Sequence, residues 1–324
     1  MLYHNKEQIE NFTLYKTSYD KIVSPREEVT DSEIEKKANN IELIQEYCVN
    51  KDTPMYYITS ILPIYDEKVL PAGVKDYSKI NQEKLHKKLE NTAVSIIDLQ
   101  QKKSILNIKQ ENLFYRTDHH WTIETCFAAF QEIIWHLEQD LNWGLDSQGK
   151  FTDLDSYKKI IYEKSFLGSY GVKVGEYYIG TDDFEIYIPK YKTDFIFEKY
   201  DANHEMTMQK KGDFFKTMMN EEILQDQGYY NKYNSFSNGG YIENRVINNN
   251  ADNDKKVLLI SHSYGRPLLQ YLSLCFKEVR NLDPQEGRYN DDYFKYIDEY
   301  EPDLILIMNE FEGEITNEIV IQLN

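Results

Sequence analysis

Apolar positions along the chain fall into two periods. Near-continuous apolar and aromatic runs occur in TPMYYITSIL (53–62), AVSIIDLQ (93–100), KKVLLIS (255–261) and DLILIMN (303–309), and they predict buried strands. KEVRNLD (277–283) predicts one more short strand. Helical spacing runs through DSEIEKKANNIELIQEYCVN (31–50), INQEKLHKKLEN (80–91), TIETCFAAFQEIIWHLEQDL (122–141), YGRPLLQYLSLCF (264–276) and YNDDYFKYIDEYEP (289–302). Thr122 is placed to cap the third of these helices. Strand–helix–strand alternation at both ends predicts an α/β fold with parallel strands joined by crossover helices.

The middle of the chain differs. KSFLGSYGVKVGEYYIGTDDFEIYIPKYKTDFIFE (164–198) alternates apolar residues with glycines and predicts hairpins. Residues 229–254 are loop-rich, with Gly239–Gly240 as a turn. The expectation is one domain over 1–324, with a β-rich insertion at about 164–250.

Composition narrows the function classes. The chain has 324 residues, 41% of them hydrophobic, which suffices for a large core. Its net charge of −18 argues against nucleic acid or an anionic membrane surface as partner. The 27 tyrosines suit sugar stacking, and equally suit a Tyr- and Asn-rich genome. Cys48, Cys126 and Cys275 are scattered and form no C-x-x-C, so no thiolate metal or redox site is expected. No apolar run reaches membrane-spanning length, and the start, MLYHNKEQIENF, is polar and unlike a signal peptide. Two placements stay open: the cytosol, or export with the export segment absent from this chain.

The candidate chemistry lies in LFYRTDHHWT (113–122) and ISHSYGRP (260–267). Ser263 falls in a strand-to-helix turn, where α/β sheets bind ligands and where helix N–H groups stabilise an oxyanion. A serine hydroxyl needs a base, and the base needs an orienting carboxylate. His120 and Asp118 supply both types, two residues apart, with His119 pointing the other way in an extended segment. Each piece has a plainer reading: a helix-capping serine, or a satisfied polar cluster. Asp118, His119 and His120 are also metal-ligand types, but no further ligand cluster accompanies them.

FYRTDHHWT resembles the signature of the DHHW family, related to the alginate O-acetylation proteins of the SGNH hydrolase-like superfamily. The alginate form, D-x-H-W, maps onto Asp118, His120 and Trp121. FLGSYGVKVGEYYIGTDDFEIYIPK, KKVLLISHSYGRPLLQYL and DLILIMNE are similar to further blocks of that family, over about 50–315. The resemblance implies an SGNH-type sheet in circularly permuted order, with Asp and His before Ser. It implies Ser263 as nucleophile, His120 as base, Asp118 as orienter and a Tyr264 N–H for the oxyanion. No cofactor and no metal are expected.

The activity implied is O-acetyl transfer to an exopolysaccharide or cell-wall glycan, outside the cytoplasmic membrane, with acetyl supplied through a membrane-bound O-acyltransferase partner. An acetylesterase would use the same triad, and a glycan-binding scaffold would keep the fold without turnover. One departure stands out: His262 occupies the position before the serine where the family usually has aspartate. Trp121 is read as a sugar platform or a core anchor, and Arg266 as a substrate contact or a surface ion pair. Ser169, Gly171, Tyr233 and Asn309 are weaker candidates for the cleft.

Overall fold

The computed structural model describes residues 8–9, 14–227, 231–285, 289 and 292–308. Among them, eight strands form one sheet, in the order 95–98, 55–59, 304–308, 256–261, 278–282, 243–248, 195–200, 206–212. The first five are mutually parallel. The last three extend the sheet antiparallel from the strand Glu278–Leu282. The parallel half is made of the predicted apolar runs. Its three innermost members, Met55–Thr59, Lys256–Ser261 and Leu304–Met308, are almost wholly buried, as strands covered by helices on both faces must be.

Helices pack on both faces. Ile123–Leu141 and Gly265–Cys275 cover one, burying Phe127, Phe130, Leu268 and Leu272 against Val257, Leu259 and Leu306. Asp31–Val49, Ser78–Leu89 and Tyr293–Tyr300 cover the other, against Tyr57, Leu258, Ile260 and Ile307. Thr122 caps its helix through the Thr125 N–H at 3.3 Å. The α/β expectation is met by this layering.

The middle segment departs from its pattern. A long hairpin pairs Tyr157–Phe166 with Asp182–Pro189, but its connection is two short helices, Ser169–Val174 and Glu176–Ile179. The glycines that pointed to hairpin turns border these helices instead: Gly175 (φ 91°) and Gly180 (φ 74°) take conformations closed to most residues. In the loop-rich stretch, Glu243–Asn248 is a strand, held by neighbours on both sides despite its polar ENRVIN sequence. Thus three strands of 164–250, at 195–200, 206–212 and 243–248, extend the central sheet.

Candidate active site

The serine strand ends at Ser261, and the serine helix begins at Gly265. Gly265 is required there: a Cβ would lie 1.8 Å from the Ser261 Oγ. The tight junction leaves Ser263 in the turn, buried but for 6% of its surface. His262 accepts the Tyr264 N–H on its Nδ1 at 3.3 Å. This is the local side-chain-to-backbone bond that an aspartate would make from the same position.

The Asp118–His120 loop approaches from another layer. It is pinned by Asp182, whose carboxylate accepts from the Thr117 N–H at 2.9 Å, the Thr117 hydroxyl at 2.7 Å and the Arg116 N–H at 3.2 Å. Thr117 in turn takes the Gly168 N–H at 2.9 Å on its hydroxyl and the Gly171 N–H at 2.7 Å on its carbonyl. The loop and the short helix at 169–174 therefore form one hydrogen-bonded unit.

Within that unit, Asp118 is fully enclosed. Its Oδ1 accepts from the His120 N–H at 2.9 Å and pairs with His120 Nδ1. Its Oδ2 accepts the Ser169 N–H at 2.6 Å. Burial acts to raise the Asp118 carboxyl, but the two histidines and these hydrogen bonds outweigh it and hold the group well below the usual carboxylate range. Asp118 is thus an anion. An anion on Nδ1 fixes the His120 tautomer with its proton there, so Nε2 carries the lone pair. Nε2 faces Ser263 Oγ at 2.8 Å. Burial, reinforced by His119, pushes His120 down to about 4, so its imidazole is neutral at pH 7 and its Nε2 lone pair is unprotonated. The contact geometry is that of a nucleophile, a base and an orienting carboxylate in series.

Aromatic rings enclose His120. Tyr233 stacks on His120 with centroids 3.7 Å apart, and its hydroxyl donates to the Ser263 carbonyl at 3.3 Å. His119 covers the opposite side at 3.9 Å, with its Nδ1 3.0 Å from Ser169 Oγ. The residues gathered here therefore include Ser263, His120, Asp118, Tyr233 and Ser169, with Gly171 bracing the loop from behind.

The structure narrows the readings of Trp121, Tyr264 and Arg266. Trp121 is fully buried, bridges to Phe114 and stacks on Tyr264 at 5.3 Å; it anchors the loop and has no surface on which a sugar can stack. The Tyr264 N–H is turned to His262 Nδ1 and not open to an oxyanion, while its side-chain hydroxyl donates to the His119 carbonyl. Arg266 is almost wholly buried and its Nη1 donates to Asn234 Oδ1 at 3.0 Å, which excludes the surface-pair reading. Asn309 lies outside the described residues.

Sequence reasoning missed Gly168 and Asp182. A Cβ on Gly168 would fall 2.2 Å from the Asp118 Cβ. Asp182 sits 65 positions from Thr117, and nothing local announces that pairing. As for metals, Asp118, His119 and His120 bring one ligand atom each within 4.8 Å of one another. Both His120 ring nitrogens, however, are engaged, Nδ1 by Asp118 and Nε2 by Ser263, so a shared ion would have to displace one of these two contacts.

Residues 60–155 match the family described as SGNH hydrolase-like domain, acetyltransferase AlgX. No curated protein matches the chain in sequence. Among solved structures, Bacillus cereus PatB1 bearing a sulfonyl adduct superposes with a TM-score of 0.74 at 18% identity, covering 98% of this chain and 100% of that one. A DHHW family protein from Eubacterium siraeum gives a TM-score of 0.67 at 18% identity, over 93% and 92% of the two chains. The O-acetyltransferase domain of Pseudomonas putida AlgJ gives 0.52 at 11% identity, over 96% and 93%. Asp118, His120 and Trp121 fall inside the 60–155 family match and Ser263 lies beyond it, while the likeness in fold extends over nearly the whole chain.

Proposed function

We propose that the chain is an O-acetyltransferase that acts on an extracellular or cell-wall polysaccharide through an acetyl-serine intermediate at Ser263. One observation carries the reading: His120 Nε2 lies 2.8 Å from Ser263 Oγ while Nδ1 is held by the buried Asp118. That arrangement supplies a neutral, oriented base to an otherwise weak nucleophile.

In the first step Ser263 Oγ attacks the acetyl carbonyl carbon of a donor, and its proton passes to His120 Nε2. The donor's leaving group takes that proton as its bond to the acetyl carbon breaks. In the second step an acceptor hydroxyl gives its proton to His120 Nε2 as its oxygen bonds to the same carbon. The Ser263 oxygen leaves and is reprotonated. Asp118 stabilises the imidazolium formed in each step. An acetylesterase would differ only in admitting water as the second nucleophile.

The donor is expected from a membrane-bound O-acyltransferase partner, at the cell surface or outside the cell. No helix among the described residues is long and apolar enough to cross a membrane, so a membrane link would come from such a partner or from chain outside those residues.

The test is intact-protein mass spectrometry after brief exposure to p-nitrophenyl acetate, and separately to an aryl sulfonyl fluoride. The expected result is one acetyl or sulfonyl adduct on Ser263, absent in Ser263→Ala and strongly slowed in His120→Ala. Equal labelling of all three proteins would reject the reading.

A further inference from the structure

The two rings that enclose His120 are unequal. Tyr233 is buried to 1% exposure, whereas the His119 side chain keeps 29% of its surface open. Asp118, Trp121, Ser263 and Tyr264 are all buried. Among the described residues of this cluster, those open to solvent are His119 and the half-buried Ser169 and Tyr170. An acceptor that approaches Ser263 from this side meets these three residues.

They are held for that task. Ser169 donates its N–H to Asp118 and sets its hydroxyl 3.0 Å from His119 Nδ1, so the residue that fixes the catalytic carboxylate also fixes the His119 ring. The Tyr264 hydroxyl holds the His119 carbonyl from below. With Nδ1 engaged, Nε2 is the polar edge of the ring left to a ligand. The Tyr170 ring lies 5.7 Å from His119, close enough for one pyranose to touch both.

We propose that His119 is an acceptor-binding residue: its Nε2 hydrogen-bonds a sugar hydroxyl next to the one that attacks, with Tyr170 backing the pyranose ring. This inference rests on the acetyl-Ser263 reading. In the transfer step the attacking hydroxyl gives its proton to His120 Nε2, its oxygen bonds to the acetyl carbon, and the bond from that carbon to the Ser263 oxygen breaks. His119 exchanges no proton. It selects a vicinal diol over water or a simple alcohol.

The test reads how acetyl-enzyme made from p-nitrophenyl acetate partitions between methyl β-D-glucopyranoside and methanol at equal concentration. Both products issue from one intermediate, so a change in acylation rate does not enter the ratio. Wild type should favour the glucoside. His119→Ala should lose that preference by roughly tenfold, the effect of one neutral hydrogen bond, and His119→Gln, which keeps a polar group at similar reach, should restore part of it. Equal partition in wild type, or an unchanged ratio in His119→Ala, overturns the inference. A second readout does not need turnover. In Ser263→Ala protein with labelled histidine, the glucoside should shift the His119 Nε2 resonance. No shift overturns the inference, whereas a shift together with no acetyl adduct on Ser263 of the wild-type protein upholds the sugar contact and rejects the acetyl-serine reading instead.

Discussion

The Tyr233 ring lies face to face with the His120 imidazole, 3.7 Å between centroids and 18° from parallel, while its hydroxyl donates to the Ser263 carbonyl. One side chain thus braces both the His120 ring and the Ser263 backbone. The two contributions separate by substitution. Tyr233→Phe keeps the stack and loses one hydrogen bond, which predicts a fall in the Ser263 acetylation rate of no more than about tenfold. Tyr233→Ala removes the wall behind the imidazole and opens a cavity in a buried site, at a cost of about 3–5 kcal/mol in stability. Its acetylation rate is expected to fall about a hundredfold, as loss of orientation does. Stopped-flow nitrophenol release and urea unfolding of the two variants check the ordering.

Gly168 predicts a second dependence. Its Cα lies so close to Asp118 that an added Cβ would stand 2.2 Å from the Asp118 Cβ and 2.4 Å from Oδ2. No rotamer of alanine relieves that contact, because a Cβ has no freedom to move. Gly168→Ala must therefore displace Asp118 and with it the Ser169 N–H and His120 pairings. The expected outcome is a stability loss of about 1–3 kcal/mol from overpacking, and acetylation reduced about a hundredfold or more. A variant with wild-type acetylation would show that the carboxylate does not orient the base.

The turn before the nucleophile gives a third. His262 Nδ1 accepts the Tyr264 N–H, a bond that an aspartate can make with its own carboxylate oxygen. His262→Asp is expected to keep the turn and to acetylate within about tenfold of wild type, the price of burying an extra negative charge near His120 being the main loss. His262→Leu removes the acceptor altogether and leaves the N–H unsatisfied, for a stability loss of about 1–3 kcal/mol. Thermal unfolding of the pair distinguishes the lost bond from the lost ring.

How much of this was legible in the sequence follows from the range of each interaction. The parallel half of the sheet was readable because its strands are continuous apolar runs, such as KKVLLIS and DLILIMN. Ser263, His120 and Asp118 were readable as residue types in suitable turns, and the resemblance supplied their grouping. Asp182, Gly168 and the stacking role of Tyr233 were not, because each acts across 50 or more positions in a loop-rich stretch with no periodic signal. Trp121 was ambiguous for another reason: an aromatic beside a catalytic motif serves equally as platform or anchor, and only its burial decides.

The last prediction concerns acid. His120 titrates at about 4 in the folded chain against an ordinary value near 6.5, because burial and then His119 disfavour its charge. Between those two pH values the unfolded chain binds a proton that the folded chain refuses. Stability therefore rises with pH across the window and is lost as pH falls from 6.5 toward 4. At pH 4.5 the loss relative to pH 7 is about 2–3 kcal/mol from this group alone. Asp118, held below the usual carboxylate range, acts in the same direction at lower pH still. Urea unfolding at pH 7 and 4.5 measures the difference, and His120→Gln, which cannot titrate, should lose it. The rate of Ser263 acetylation should follow the folded-state value, with its acid limb centred near pH 4. An acid limb centred at pH 6.5 would mean that the imidazole is solvated in the working enzyme, and that the ring stack formed by Tyr233 and His119 opens before the chemistry begins.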